Sequence, residues 1–173
     1  MKTRFNTAAA ALLAVFLAAG GQTVSAKGYG KIAAIAQTKI TPEQAIATAQ
    51  KQAGGQATEI KLKGKYGNPV YNVEVRNGNQ EHTFYIDAVS GQVVGNKMET
   101  EWKPSRKTAV SLERAIQIAQ SRVKGRVMEA ERDNRRGRSV YKVDILSADN
   151  MPYKVVLDAD SGKVLSSYID YDD

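Results

Sequence analysis

Two carboxylates recur in matching settings. Asp87 stands in Asp-Ala-Val-Ser-Gly-Gln-Val and Asp158 in Asp-Ala-Asp-Ser-Gly-Lys-Val, 71 positions apart (158 − 87 = 71). A recurring carboxylate beside a serine invites an acid–base or nucleophilic reading. The rest of the chain does not supply the other parts. There is one histidine, His82, and no cysteine. Local sequence places no nucleophile beside His82, which argues against Ser-His-Asp and Cys-His catalysis. Metal sites built from His and Cys need several ligands. No Gly-rich phosphate loop has the expected spacing. The carboxylates of the tail (Asp170, Asp172, Asp173) lack the alternating spacing and central Gly of a calcium loop. The expectation is therefore no catalytic residue, no cofactor and no metal. The account that needs no substrate is structural. Asp87 and Asp158 accept backbone N–H groups across a turn, and Gly91 and Gly162 take the positive φ that closes it. Asp87, Ser90, Gly91 and Asp158, Ser161, Gly162 are read as two copies of one turn.

Binding is the chemistry that remains. Seven basic residues cluster over 122–138 in the second copy: Arg122, Lys124 and Arg126, then Arg132, Arg135, Arg136 and Arg138. Together they are a candidate patch for an anionic partner. Glu129, Glu131 and Asp133 interleave, so the alternative is a solvated, salt-bridged face. Exposed sheet edges are a second candidate, since an edge strand is a template for an extended peptide.

The elements that must position these residues are themselves duplicated. Thr41-Pro42-Glu43-Gln44-Ala45-Ile46 matches Ser111-Leu112-Glu113-Arg114-Ala115-Ile116 at an offset of 70 (111 − 41 = 70). Gly55 falls on Gly125, and Val70-Tyr71-Asn72-Val73 on Val140-Tyr141-Lys142-Val143. The offset reaches 71 after one extra residue in a hairpin loop, where insertions are tolerated. Each copy opens with a capped helix: Thr41 or Ser111 at the N-cap and a small-residue stripe, Ala45, Ile46, Ala49, Ala53 or Ala115, Ile116, Ala119, Val123. Gly54-Gly55 and Gly125 are read as the helix stops. Three alternating strands and a short fourth follow, with Asn77-Gly78 as one hairpin signal and residues 134–138 as a hairpin loop in the second copy. Clean period-2 alternation implies antiparallel sheets with one buried face. The fold class is α+β: two repeated units, each one helix packed on a small antiparallel sheet of three to four strands.

The first 26 residues read as a secretory signal peptide: Lys2 and Arg4, an apolar stretch over 8–19, and small residues before cleavage between Ala26 and Lys27. That apolar run is too short to span a bilayer. The mature chain would have 147 residues (173 − 26) and a net charge of +5 (7 − 2). This mild excess suits weak attraction to anionic envelope polymers and is not a nucleic-acid signature. The remaining divisions are a flexible lead-in over 27–39, in which 32–36 could form a helical turn, repeat one over 40–97, a linker over 98–109, repeat two over 110–170 and an acidic tail over 171–173. The linker holds Trp102, the only tryptophan, read either as a cap on a core or interface or as an exposed binding anchor.

At the helix openings, the central Val70-Tyr71-Asn72-Val73-Glu74-Val75 and the endings Ile86-Asp87-Ala88-Val89-Ser90-Gly91 and Leu157-Asp158-Ala159-Asp160-Ser161-Gly162, both copies resemble a PepSY domain. The resemblance covers most of the mature chain. It implies a helix on an antiparallel sheet. Such domains occur in propeptides of thermolysin-like metallopeptidases, which they are thought to restrain, and in small exported proteins. With a single His the chain cannot hold the HExxH of such a peptidase, so any restrained enzyme would be a separate chain. The resemblance brings no catalytic residues with it. The expected role is a periplasmic or secreted, non-enzymatic module that binds a protein, a separate peptidase or a sensor ectodomain, with no transmembrane segment after cleavage. The alternative is an envelope sensor or scaffold binding an anionic polymer or a sensor partner through the arginine-rich second repeat.

Overall fold

The computed structural model describes residues 26–64, 68–100 and 106–171, with only the backbone of 26–31. Trp102, residues 1–25 of the expected signal peptide and the last two tail residues lie outside them. Among the described residues three helices and eight strands are formed: α1 (Ala26–Gln37), α2 (Pro42–Ala53), β1 (Gln56–Lys63), β2 (Val70–Asn77), β3 (Gln80–Asp87), β4 (Val93–Thr100), α3 (Leu112–Arg122), β5 (Gly125–Arg135), β6 (Arg138–Ser147), β7 (Pro152–Asp158) and β8 (Val164–Ile169).

The caps follow from the sequence. Thr41 Oγ1 accepts from the Gln44 N–H (3.3 Å), and Gln44 Oε1 accepts from the Thr41 N–H (2.8 Å), which closes a capping box around Pro42. Ser111 Oγ accepts from the Arg114 N–H (3.2 Å). Ala45, Ile46 and Ala49 are buried, as are Leu112, Ala115, Ile116 and Ala119. These small stripes let α2 lie close on β1 and β2, and α3 on β5, β6 and β7. Two buried tyrosines at matching positions tie strand to helix entry. The Tyr141 hydroxyl donates to the Val110 carbonyl (2.7 Å), and the Tyr71 hydroxyl reaches the Ile40 carbonyl (3.5 Å).

The small antiparallel sheets expected of the two repeats are joined edge to edge. The described strands form one antiparallel sheet in the order β4-β3-β2-β1-β5-β6-β7-β8. The halves join where Glu59, Ile60 and Lys61 oppose Glu131, Ala130 and Glu129. Directly opposed residues share a face, so Ile60 and Ala130 put both cores on the same side. The alternation along each strand predicts its faces but not its neighbour, because every residue carries the same main-chain donor and acceptor.

Three local assignments also change. Residues 26–37 form a full helix where a lead-in with a helical turn is expected, and its Ala34 and Ile35 are buried over β1 and β5. Ala26 and Lys27, the expected cleavage point, stand in its first turn. Gly125 does not stop α3; Val123 caps it in an extended conformation (φ −127°), and Gly125 begins β5. The loop expected over 134–138 shrinks to Arg136-Gly137, both at positive φ (49° and 81°), with β5 and β6 paired up to Arg135 and Arg138. That is the backbone of a two-residue type I′ hairpin. β4 also extends three residues beyond 97, into the expected linker.

Candidate functional site

The two Asp-Ser-Gly turns have nearly the same geometry. Asp87 Oδ1 accepts from the Val89 N–H (3.0 Å), the Ser90 N–H (2.7 Å) and the Ser90 hydroxyl (3.0 Å). Asp158 Oδ1 accepts from the Asp160 N–H (3.2 Å), the Ser161 N–H (2.8 Å) and the Ser161 hydroxyl (2.8 Å). Gly91 and Gly162 have φ of 77° and 73°. Donation from the Ser90 and Ser161 backbones to the charged form holds each carboxyl below the usual carboxylate range. Each turn also fixes the chain that precedes a helix. The Ala88 carbonyl accepts from Lys39 (2.8 Å) and Ile40 (3.2 Å), and the Ala159 carbonyl accepts from Val110 (3.1 Å). These contacts account for Asp, Ser and Gly at both sites through the fold alone.

The seven basic residues do not form one surface. Arg122 is exposed at the end of α3, Lys124 immediately precedes β5, and Arg126 is its second residue, where the Arg126 guanidinium donates to the Ile35 carbonyl of α1. Arg135, Arg136 and Arg138 lie at the opposite end, roughly 30 Å away for a strand of this length. Arg132 is half-buried and donates to the Arg106 carbonyl (2.7 Å). Arg138 shares a surface pocket with Arg106, Asp158 and Asp160, and Arg106 pairs with Asp160 (3.1 Å). Clustering in sequence did not survive an eleven-residue strand.

The face of the sheet away from the helices is lined with charge across the seam. Glu59 lies between Glu74 on β2 and Glu131 on β5. Lys61 pairs with Glu129 across the seam and Arg76 with Glu81. Lys142 holds Glu131 (3.0 Å) and Asp133 (2.6 Å). Burial of its carboxyl, reinforced by Glu59 and Glu81 and only partly offset by Arg76, pushes Glu74 up to about 7. Glu59 is raised as well, by burial first and Glu129 next. The folded state therefore holds the Glu74 proton more tightly than the unfolded chain. Stability is fullest below the ordinary value of 4.5 and declines as pH rises through about 7. Because the group is half exposed, screening reduces the effect to about 1 kcal/mol. Glu74→Gln is expected to stabilise by about 1 kcal/mol at pH 8 and to change nothing at pH 4. Urea unfolding at the two pH values checks this, and an equal effect at both would overturn it.

The sheet edges, a candidate already from the sequence, carry exposed apolar side chains that the sequence reading did not single out. The large hydrophobic side chains exposed among the described residues are Val94, Met98, Leu165, Tyr168, Ile169 and Tyr171. All lie on β4 or β8, the two outer strands, or just after β8. They also correspond between repeats: Val94 to Leu165 and Met98 to Ile169, at the offset of 71. Val94 (61% exposed) and Leu165 (48%) are each the extra residue where the outer ladder slips register. The paired apolars Val93-Val94 and Val164-Leu165, which break the alternation, are the mark of those bulges. Among the described residues no group of acidic or histidine side chains has the arrangement of a metal site, and no helix is long and apolar enough to cross a membrane.

Comparison with known proteins accords with the repeat. The chain is 24% identical to YkoJ of Bacillus subtilis (strain 168) over 163 residues, covering 92% of this chain and 94% of that protein. Among solved structures it is similar to CD1622 of Clostridium difficile 630 (23% identity, TM-score 0.47, 77% of this chain and 95% of that one). It is also similar to YpmB of Bacillus subtilis (16% identity, TM-score 0.35, 76% of this chain and 100% of that one). The PepSY model, described as the peptidase propeptide and YPEB domain, matches residues 39–97 and again 109–168. Those two matches span most of the chain, and the protein belongs to the PepSY family, with two copies of the domain in tandem.

Proposed function

We propose that this protein is an exported, non-enzymatic binding module that holds an extended segment of another protein against an outer edge of its sheet. The observation that carries the reading is the confinement, among the described residues, of exposed large hydrophobics to β4, β8 and Tyr171 just beyond β8. An outer strand supplies main-chain donors and acceptors, and its bulge-borne aliphatic side chains supply specificity. The family name associates such domains with peptidase propeptides, so the partner of first choice is a separate peptidase, restrained by occupation rather than by chemistry. The apolar stretch near Lys2 and Arg4 supports export to the periplasm or beyond.

The test is capture of a peptidase from a periplasmic extract on the chain from Lys27, followed by a rate measurement with the purified pair. The expected result is a slowed peptidase whose inhibition persists between low and high salt and is lost in Val94→Lys with Met98→Lys. An undiminished rate at saturating chain would remove peptidase restraint. Binding that collapses with salt, with heparin retention lost in Arg135→Glu with Arg136→Glu, would favour the anionic-polymer reading instead.

A further inference from the structure

We infer that β8 pairs with β8 of a second copy of this chain, antiparallel, about a two-fold axis through Ser167. The two outer edges differ in how well they are protected. β4 carries Lys97 and Glu99, paired with each other at 2.6 Å. β8 reads Val-Leu-Ser-Ser-Tyr-Ile, with neither a charge nor a proline to blunt it, and its bulge at Leu165 is matched on β4 at Val94, so the bulge does not separate the two edges. Leu165, Tyr168, Ile169 and the adjoining Tyr171 are all exposed.

Main-chain direction fixes the register. The Asp170 N–H donates inward to the Pro152 carbonyl (2.9 Å). In an antiparallel ladder the inward pairs alternate, so Tyr168 and Ser166 also face β7 while Ser167 and Ile169 point their N–H and C=O groups outward. A two-fold through Ser167 makes it a hydrogen-bonded pair with itself. Ser166 then opposes Tyr168 of the other copy, and Leu165 opposes Ile169, keeping each pair on one face. Val164 then opposes Asp170 of the other copy, whose carboxylate is held by Lys154 of its own chain, and Lys163 opposes Tyr171. Like charges do not meet within the ladder. The chain already uses the same contact internally, where β1 and β5 join its halves antiparallel. A β8–β8 contact is isologous and closes at two copies, whereas β4 against β8 would propagate without closing. The dimer leaves β4 outermost at both ends, free for the partner proposed above, and it stands or falls independently of that partner.

The experiment uses the chain from Lys27 in sedimentation equilibrium from about 5 to about 500 µM, a range suited to a small edge contact. The expected mass rises to twice the monomer and no further. Leu165→Lys with Tyr168→Lys should stay monomeric with unchanged circular dichroism. Because the chain has no cysteine, Ser167→Cys tests the axis directly. Opposed Cα atoms in such a pair are close enough for a disulfide. Ser167→Cys should oxidise to a covalent dimer, and Asn96→Cys, at the matching place on β4, should not. A monomer mass at the highest concentration, growth beyond two copies, or equal cross-linking through Asn96→Cys would each overturn the proposal.

Discussion

Gly125→Val is expected to destabilise the protein by about 3 kcal/mol or more, the upper range of overpacking effects. A Cβ at Gly125 would stand 2.2 Å from the Leu146 carbonyl oxygen and 2.7 Å from Ile145 Cγ2. A backbone carbonyl cannot swing aside as a side-chain tip can, so β5 and β6 would have to separate where α3 packs on both. The same approach recurs at Gly55, whose Cβ would meet the Arg76 carbonyl oxygen at 2.2 Å. Gly78→Ala is the control. Nothing lies within 4 Å of its Cβ, and only the positive φ of 64° is strained, for a cost of about 1 kcal/mol. Denaturant unfolding measures both. A loss below about 1 kcal/mol in Gly125→Val would mean that the strands do not approach this closely.

Ile60→Ala is expected to cost about 3 kcal/mol, within the usual range for a fully buried aliphatic. Ile60 is 1% exposed and lies at the seam, opposite Ala130. The buried side chains of both repeats form one cluster, with Ala34 and Ile35 of α1 in it. Loss of Ile60 should therefore weaken both halves together. The expected record is a single transition, shifted to lower denaturant with an unchanged slope. Two separated transitions, with the second at the wild-type midpoint, would show instead that each repeat unfolds on its own.

Features governed by near neighbours in the chain were legible without coordinates. Thr41-Pro42-Glu43-Gln44 predicts a capping box because each partner lies within one turn. Asp87 and Asp158 predict turns because their acceptors reach only two or three residues ahead. Gly125 was misleading for a physical reason. A glycine after a helix usually relieves left-handed backbone, but this one relieves a carbonyl on a strand twenty-one positions later (146 − 125 = 21). The arginines were misleading for another: closeness in sequence is lost when an extended strand carries its ends apart.

The sequence alone determined the duplication, the helix caps, the inward side chains of each strand and the two Asp-Ser-Gly turns, since each depends on residue type at short range. The tertiary structure alone decided that the halves share one sheet, that α1 covers their seam, that Glu59, Glu74, Glu81, Glu129 and Glu131 gather on the open face and that β4 and β8 are left as edges. Those outcomes depend on which strand lies beside which. The main-chain groups that make that choice are the same at nearly every residue, so only the packed core selects among the pairings.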